Sequence, residues 1–183
     1  MDLTVILGPV KGGKSLEMIS LLSPLRHAGI PHRIYQSTRH SRDIAVTSRS
    51  GGSLQTVKVS SLGGAADAEV EVIGVDEIHM FTVDDIAVLG AAVRSGIQVV
   101  VAGIDLDHRG CLFAPVKALF ELAPAKVLYR RAVCDVCRSL DATHTQVLED
   151  GKPMIRELAP STALPDDGTY TYEARCRRCV ILP

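Results

Sequence analysis

The chain has 183 residues, a length that suits one α/β domain with a small appendage, and its 20 basic and 21 acidic side chains leave a net charge of −1. This balance argues against nucleic acid as the main partner, because duplex-binding domains use a basic face to displace counterions. Hydrophobic residues make up 46% of the sequence and Trp is absent, so a large, aliphatic core is expected.

The N-terminal residues lead directly into an apolar run at residues 3–7, without the basic segment of a signal peptide. No apolar stretch reaches the length of a membrane span. We therefore expect a cytoplasmic protein without a membrane partner.

Apolar runs and helical periodicities alternate along most of the chain. The predicted strands cover residues 3–7, 33–35, 56–59, 70–75, 98–102 and 126–129. The first predicted helix begins at Ser15, is interrupted at Pro24 and ends near Gly29, and two further helices cover residues 83–95 and 113–122. The Ser- and Arg-rich segment 36–52 is predicted to be a loop. This order indicates an α/β fold, a parallel sheet with helices on both faces.

The composition changes after the last predicted core strand. From Cys134 onward the segments are short, polar and rich in turns, and cysteines occur in pairs. We place a domain boundary near Arg131, which gives a domain at 1–131 and a smaller one at 132–183.

The first predicted strand leads into a loop that fits G-x-x-x-x-G-K-[ST], the P-loop pattern. Its residues are Gly8, Pro9, Val10, Lys11, Gly12, Gly13, Lys14 and Ser15. Glycines let backbone N–H groups surround a phosphate, and the following helix adds the partial positive charge of its N-terminus. In this pattern Lys14 neutralises phosphate oxygens and Ser15 ligates Mg²⁺, so the loop predicts ATP binding.

Two acidic residues follow the apolar strand at 70–75. Asp76 is expected at the carboxyl end of a central strand, beside the P-loop, where it would hold the Mg²⁺ that accompanies ATP. Glu77 is then placed to act as a general base. Two roles stay open for Glu77, because it could deprotonate a substrate alcohol in a kinase or orient water in an ATPase.

Four of the five cysteines form two C-x-x-C pairs, Cys134 with Cys137 and Cys176 with Cys179. Two such turns can supply four thiolates to a closed, tetrahedral zinc site, which would staple a segment too small to have a core of its own. Four reduced cysteines or a redox dithiol are the alternatives. The fifth, Cys111, is interpreted as a free thiol.

The order of these elements resembles that of the cytosolic (type II) thymidine kinases. The resemblance is closest at residues 3–15, 72–81, 101–113 and 134–179. Residues 103–110 are similar to the family's G-L-D-x-D-F-R-G stretch, residues 48–51 to its S-R-x-G, and Tyr172 to a tyrosine four residues before the third cysteine.

The resemblance implies an ATP-dependent deoxynucleoside 5′-kinase that converts thymidine to its monophosphate, with Glu77 as the base for the 5′-hydroxyl. It further implies a zinc-ribbon-like second domain whose segment 156–171 closes over the base as a lasso, a homotetramer, and inhibition by the end product. Further ATP contacts fall on Ser37, Thr38, Arg39 and His79. The nucleoside contacts fall on Met80, Phe81, Ile104, His108, Arg109 and Tyr172.

Several positions depart from the family's pattern. His79 stands where relatives usually have Gln, Met80 and His108 replace aromatic residues, and Ser37 stands where Asp is frequent. Two other classes of function stay open. One is an NTPase coupled to a protein or nucleic-acid partner, and the other is a nucleotide sensor without turnover. A kinase for another deoxynucleoside is a further alternative.

Overall fold

The computed structural model describes residues 2–40, 45–47, 53–65, 69–155, 164 and 168–183. Its centre is a six-stranded sheet in which every pairing is parallel. Its strands are β1 (Leu3–Leu7), β2 (His32–Ser37), β5 (Val57–Val59), β6 (Val72–Asp76), β7 (Gln98–Gly103) and β8 (Lys126–Tyr129). They lie in the order β5-β2-β6-β7-β1-β8.

Helices cover both faces of this sheet, as predicted. Alternate residues of β1 point to opposite sides: Leu3, Val5 and Leu7 join one cluster, and Ile6 joins the other. The first cluster is completed by helices α2 (Val83–Arg94) and α3 (Ala114–Glu121), and the second by α1 (Lys14–Ala28). The predicted α/β architecture is therefore confirmed.

Helix α1 runs without interruption through Pro24, so the predicted break at that residue is wrong. Proline removes one helical N–H, but the next turn is fixed by a C-terminal cap. Gly29 adopts φ 67°, its N–H donates to the Arg26 carbonyl, and the N–H of Ile30 donates to the Leu25 carbonyl. This Schellman motif ends the helix near the predicted residue.

The predicted loop at 36–52 is also partly wrong. Strand β2 continues to Ser37, and a short strand β3 (Ala45–Thr47) pairs in antiparallel fashion with β4 (Ser53–Gln55). Gln36 extends β2 because it is fully buried beside Asp76 of β6, which a polar sequence does not reveal. The S-R-x-G stretch at 48–51 lies outside the described residues.

The C-terminal part forms a three-stranded antiparallel sheet in the order β10-β9-β11. Its strands are β9 (His144–Glu149), β10 (Lys152–Pro153) and β11 (Tyr170–Arg175), and Val147 of β9 lies opposite Tyr172 of β11. The proposed division at residue 131 stays a prediction. Within the described ranges, no helix combines the length and apolar character needed to cross a membrane.

Candidate active site

The candidate site lies at the carboxyl ends of β1, β6 and β7, which meet at one edge of the parallel sheet. The P-loop follows β1, Glu77 follows β6, and the segment from Ile104 to Arg109 follows β7. Ligands in open α/β sheets bind in the crevice outside this edge. The fold thus brings together motifs that are far apart in the sequence.

The P-loop is shaped by close contacts that only glycine allows. A Cβ atom at Gly8, where φ is 145°, would lie 2.2 Å from the carbonyl oxygen of Arg130. Gly13 adopts φ 79° as the residue before helix α1. The loop therefore turns tightly into the helix N-terminus, an arrangement that favours a bound phosphate.

Lys14 is buried at the base of this loop. Its ammonium donates to the carbonyl oxygen of Pro9 at 2.8 Å. Burial lowers the pKa of Lys14, while the negative charges of Glu77, Asp76 and Asp105 act in the opposite direction. The Lys14 side chain thus lies near three acidic residues, next to the helix N-terminus where phosphates would bind.

Asp76 is the last residue of β6 and is also buried. Burial, and then the charge of Glu77, raise the pKa of Asp76 above its usual range. Its Oδ2 accepts from the Gln36 amide at 3.4 Å. A carboxylate and the hydroxyl of Ser15 are oxygen donors of the kind that Mg²⁺ prefers, so these residues fit a magnesium ion held together with nucleotide phosphates.

Glu77 adopts φ 53° and leads into a 3₁₀ turn at Ile78–Met80. Its Oε2 is buried and has no hydrogen-bond partner among the described residues. The same atom lies 3.5 Å from Nδ1 of His79. Because that nitrogen accepts the Ile104 N–H at 3.3 Å, the proton of the neutral ring is assigned to Nε2. Burial lowers the pKa of His79 to about 4. The His79 ring is therefore uncharged near pH 7 and does not neutralise the neighbouring Glu77 side chain.

A pocket opens from Glu77 towards the C-terminal sheet. Residues from the P-loop, from the segments after β6 and β7, and from β9 and β11 line it. They are Val10, His40, Glu77, His79, Met80, Ile104, Leu106, Asp107, His108, Phe113, Thr145, Val147, Leu164 and Tyr172. A mostly apolar pocket with a few polar groups can hold a small organic molecule. A carboxylate whose Oε2 has no hydrogen-bond partner among the described residues can remove a proton from that molecule.

Most of the predicted nucleoside residues line this pocket, but two do not. Phe81 is buried in the core beneath α2, with 5% of its surface exposed. Arg109 donates through Nε and one terminal nitrogen to Oδ2 of Asp107, at 3.0 and 2.7 Å. His108 does face the pocket, and its buried Nε2 has no hydrogen-bond partner in the described structure.

The segment after β2 lies near the same pocket. The Ser37 hydroxyl accepts the N–H of Arg39 at 3.2 Å, and the N–H of Thr38 donates to the Val59 carbonyl. Arg39 donates to the carbonyl of Met80 at 3.4 Å. These contacts connect the predicted ATP segment to the 3₁₀ turn that follows Glu77.

Sequence reasoning missed several lining residues. They are His40, Leu106, Asp107, Phe113, Thr145, Val147 and Leu164. Thr145 and Val147 lie two positions apart on β9 and therefore face the same side. Residues 144–149 (HTQVLE) do not alternate between apolar and polar side chains, so no local pattern identified that strand. Phe113 packs against the His79 ring with centroids 5.1 Å apart, a contact that no local pattern indicates.

The four paired cysteines come together as predicted. Their sulfur atoms all lie within 4.8 Å of one another, and Sγ of Cys137 is 3.7 Å from Sγ of Cys176. Burial acts to raise the pKa of Cys134, but backbone N–H groups that donate to its sulfur bring that pKa down to about 6. Four convergent sulfurs with such donors fit a tetrahedral Zn²⁺ site. Cys111 is exposed and lies outside this cluster.

The sequence is similar to known proteins along nearly its whole length. A family model described as thymidine kinase matches residues 1–180. A thymidine kinase from Coprothermobacter proteolyticus is 37% identical over 183 residues, which cover 95% of this chain and 87% of that protein. One from Chloroflexus aurantiacus is 34% identical over 186 residues, with coverages of 96% and 92%. One from Ureaplasma parvum is 31% identical over 157 residues, with coverages of 81% and 70%.

Proposed function

Because the chain belongs to the thymidine kinase family, we propose that it transfers the γ-phosphoryl group of ATP to the 5′-hydroxyl of thymidine. The observation that carries this proposal is the Glu77 carboxylate. Its Oε2 is buried, has no hydrogen-bond donor in the described chain, and lies at the boundary between the P-loop and a pocket for an organic acceptor.

The P-loop is the site we assign to ATP. Backbone N–H groups at the N-terminus of α1 bind the phosphates, and Lys14 leaves the Pro9 carbonyl to neutralise the charge that develops during transfer. Ser15 and Asp76 would hold Mg²⁺, which would add positive charge beside the phosphates. Gln36 orients Asp76 through its amide.

Glu77 acts as the general base. As the 5′-oxygen attacks the γ-phosphorus, its proton passes to Oε2 and the bond to the β–γ bridging oxygen breaks, which releases ADP. His79 remains a neutral acceptor for the Ile104 N–H, so it leaves the carboxylate available to the substrate. Proton transfer of this kind contributes about 10²–10⁴-fold to rate.

We expect an acceptor with a single-ring base, because a two-ring base would not fit a lasso at 156–171 that closes over one ring. Tyr172 and Val147 are directly opposite one another on β11 and β9, and Phe113 closes the side near His79. Met80 and His108 also line this pocket. They hold a bound base less rigidly than Phe, Tyr or Trp side chains would. Thymidine is therefore the expected acceptor, deoxyuridine and 5-substituted analogues are accepted too, and purine nucleosides are poor.

Most of the segment 156–171 lies outside the described residues, so the lasso stays a prediction. The homotetramer, the end-product inhibition and the cytoplasmic location stay predictions as well. The four-cysteine cluster is assigned a structural zinc ion, because its ligands leave no open position for a substrate.

A panel of nucleosides tests this function. The zinc-loaded protein is incubated with Mg-ATP and thymidine, deoxyuridine, deoxycytidine, deoxyadenosine or deoxyguanosine, and products are identified by mass. We expect thymidine 5′-monophosphate to form fastest, with little ADP in the absence of a nucleoside. Rapid ATP hydrolysis without an acceptor would favour an NTPase instead. A purine deoxynucleoside as the best acceptor would keep the kinase chemistry and refute the thymidine assignment.

A further inference from the structure

The P-loop, which begins at residue 8, directly contacts the C-terminal part of the chain. We call the described residues between 132 and 183, which include the four paired cysteines and strands β9 to β11, the four-cysteine unit. The ammonium of Lys11 donates to Oδ2 of Asp135 at 2.7 Å. The N–H of Val10 donates to the hydroxyl of Thr145 at 3.1 Å. The Val10 side chain also packs against the cluster that contains Cys134 and Cys176. A charged, a polar and an apolar contact thus join the loop to this unit.

Asp135 is held in place by the cysteine unit itself. It lies between Cys134 and Cys137 in the first C-x-x-C turn. Its N–H donates to the Ala174 carbonyl at 2.8 Å, and its Oδ2 accepts the Ala174 N–H at 2.7 Å. Ala174 is two residues before Cys176. The carboxylate that meets Lys11 therefore lies in one C-x-x-C turn and is hydrogen-bonded to the strand that leads into the other.

The loop needs an external support. Lys11 adopts φ 63°, a left-handed conformation that is unfavourable for a residue with a side chain. The start of the loop lies against the backbone of Arg130, whose N–H donates to the Leu7 carbonyl at 2.7 Å and whose carbonyl oxygen would lie 2.2 Å from a Cβ atom at Gly8. The loop is thus held between Arg130 and the cysteine unit, and loss of either contact frees backbone groups that must point towards phosphates.

We propose that Lys11 and Asp135 are positioning residues that couple the P-loop to the four-cysteine site. Metal at the cysteines keeps Asp135 in place, Asp135 fixes Lys11, and Lys11 holds the loop in the conformation that binds nucleotide. By linkage, nucleotide strengthens metal binding by the same factor by which metal strengthens nucleotide binding. This coupling rests on the proposed function in one respect, that the P-loop binds ATP.

The coupling differs from a direct role of Lys11 at the phosphates. If Lys11 contacted ATP itself, Asp135 would compete with ATP for the ammonium, and removing the carboxylate would tighten ATP binding. If Lys11 acts through Asp135, removing either charge weakens ATP binding. The two arrangements therefore predict opposite effects of the same variant, Asp135→Asn.

The test is a double-mutant cycle on the full-length, zinc-loaded protein. Calorimetry measures the Kd of a non-hydrolysable Mg-ATP analogue for Lys11→Met, Asp135→Asn, the double variant and wild type. We expect each single change to weaken binding up to about fivefold, the range for an ion pair of this exposure, and the double variant to be no weaker than either single one. Asp141→Asn is the matched control, since it removes an ion pair with Arg131 on the same unit without touching the loop.

Zinc binding gives the second readout, which does not depend on catalysis. Zinc affinity is measured by competition with a zinc-selective chromogenic chelator, with and without Mg-ADP. We expect Mg-ADP to raise zinc affinity in wild type and in Asp141→Asn, and to raise it less in Lys11→Met. Lys11 is remote in sequence from the cysteines, so this variant keeps all four ligands.

The outcomes separate the coupling from the proposed function. Three results would each refute the coupling and leave the kinase assignment in place. They are tighter ATP binding by Asp135→Asn, effects of the two single variants that add up in the double variant, and a zinc affinity that does not change when Mg-ADP is added. Wild-type protein that binds no nucleotide at all would refute the proposed function and the coupling together.

Discussion

Two adjacent carboxylates at the end of β6 serve different parts of the site because the backbone changes conformation between them. Asp76 is still in the strand, and its side chain is buried beside Gln36. Glu77 adopts φ 53°, and its side chain reaches the pocket instead. A residue in this region is energetically unfavourable unless it is glycine, and such strain is frequent at functional sites.

Replacing the proposed base tests its role at the residue scale. Glu77→Gln preserves shape but cannot take the proton, so we expect kcat to fall about 10²–10⁴-fold while calorimetric ATP binding is retained. Glu71→Gln, which changes an exposed residue at the opposite end of β6, serves as the control. An unchanged kcat together with intact ATP binding would show that Glu77 is not the base.

Asp76 is predicted to reduce stability in the absence of ligands. Its pKa is raised from 3.8 to about 7 in the folded protein, first by burial and then by Glu77. Between these two values the folded state binds more protons than the unfolded state, so this group makes stability fall as pH rises. Asp76→Asn removes the carboxylate and should raise the apo-protein's melting temperature at pH 8 more than at pH 4, while abolishing Mg-ATP turnover.

Thermal unfolding at several pH values measures this difference. Asp141→Asn, which neutralises an exposed carboxylate, should leave the pH profile nearly unchanged. A melting temperature that Asp76→Asn lowers equally at every pH would contradict the burial argument.

At the scale of elements, the 3₁₀ turn after Glu77 is pressed against the end of β7. A Cβ atom at Gly103 would lie 2.8 Å from Cγ2 of Ile78, 3.0 Å from the Ile78 backbone nitrogen and 3.3 Å from Nδ1 of His79. The added atom would be too close to the backbone nitrogen of Ile78, which cannot rotate away as the end of a side chain can. The turn that carries Glu77 would have to move.

We therefore predict that Gly103→Ala lowers kcat out of proportion to its effect on stability. Gly74→Ala is the matched control, because its Cβ would meet the flexible ends of Leu22 and Met18, at 2.8 and 3.0 Å, on the α1 side of the sheet. Both changes should reduce the unfolding free energy by about 1–3 kcal/mol. Equal kcat values for the two variants, measured at saturating substrates, would show that the turn's position does not matter for transfer.

Local sequence predicted most elements of the sheet, because its strands are short apolar runs between helical periodicities. Strands β1 and β8 were predicted with the bounds that the structure shows. The errors fell where tertiary contacts override local preference. Helix α1 passes through Pro24 because its apolar face packs on the sheet through Met18 and Leu22. Strand β2 reaches Ser37 because Gln36 pairs with Asp76 of β6 and Ser37 pairs with Val59 of β5.

Across the whole molecule, the candidate site was predictable only where a motif defines it. The P-loop, the Asp76–Glu77 pair and the cysteine pairs are local patterns, and the structure brings each motif to one edge or one cluster. Thr145 could not be assigned to the site in this way. Its hydroxyl meets Val10, which lies 135 residues away in the sequence. Such contacts follow from how two sheets face each other, which no short window of sequence contains.

The position of β1 within the sheet also determines when the site can form during translation. The ribosome makes β1 first, yet its two neighbours in the sheet are β7 and β8, which begin at residues 98 and 126. The loop after β1 gains two further contacts only when later residues have been made. The N–H of Arg130 donates to the Leu7 carbonyl, and the hydroxyl of Thr145 accepts the N–H of Val10. Pairings this distant along the chain form late in folding. A nascent or truncated chain that ends before residue 130 would carry an intact P-loop motif without the surroundings that make it a nucleotide site.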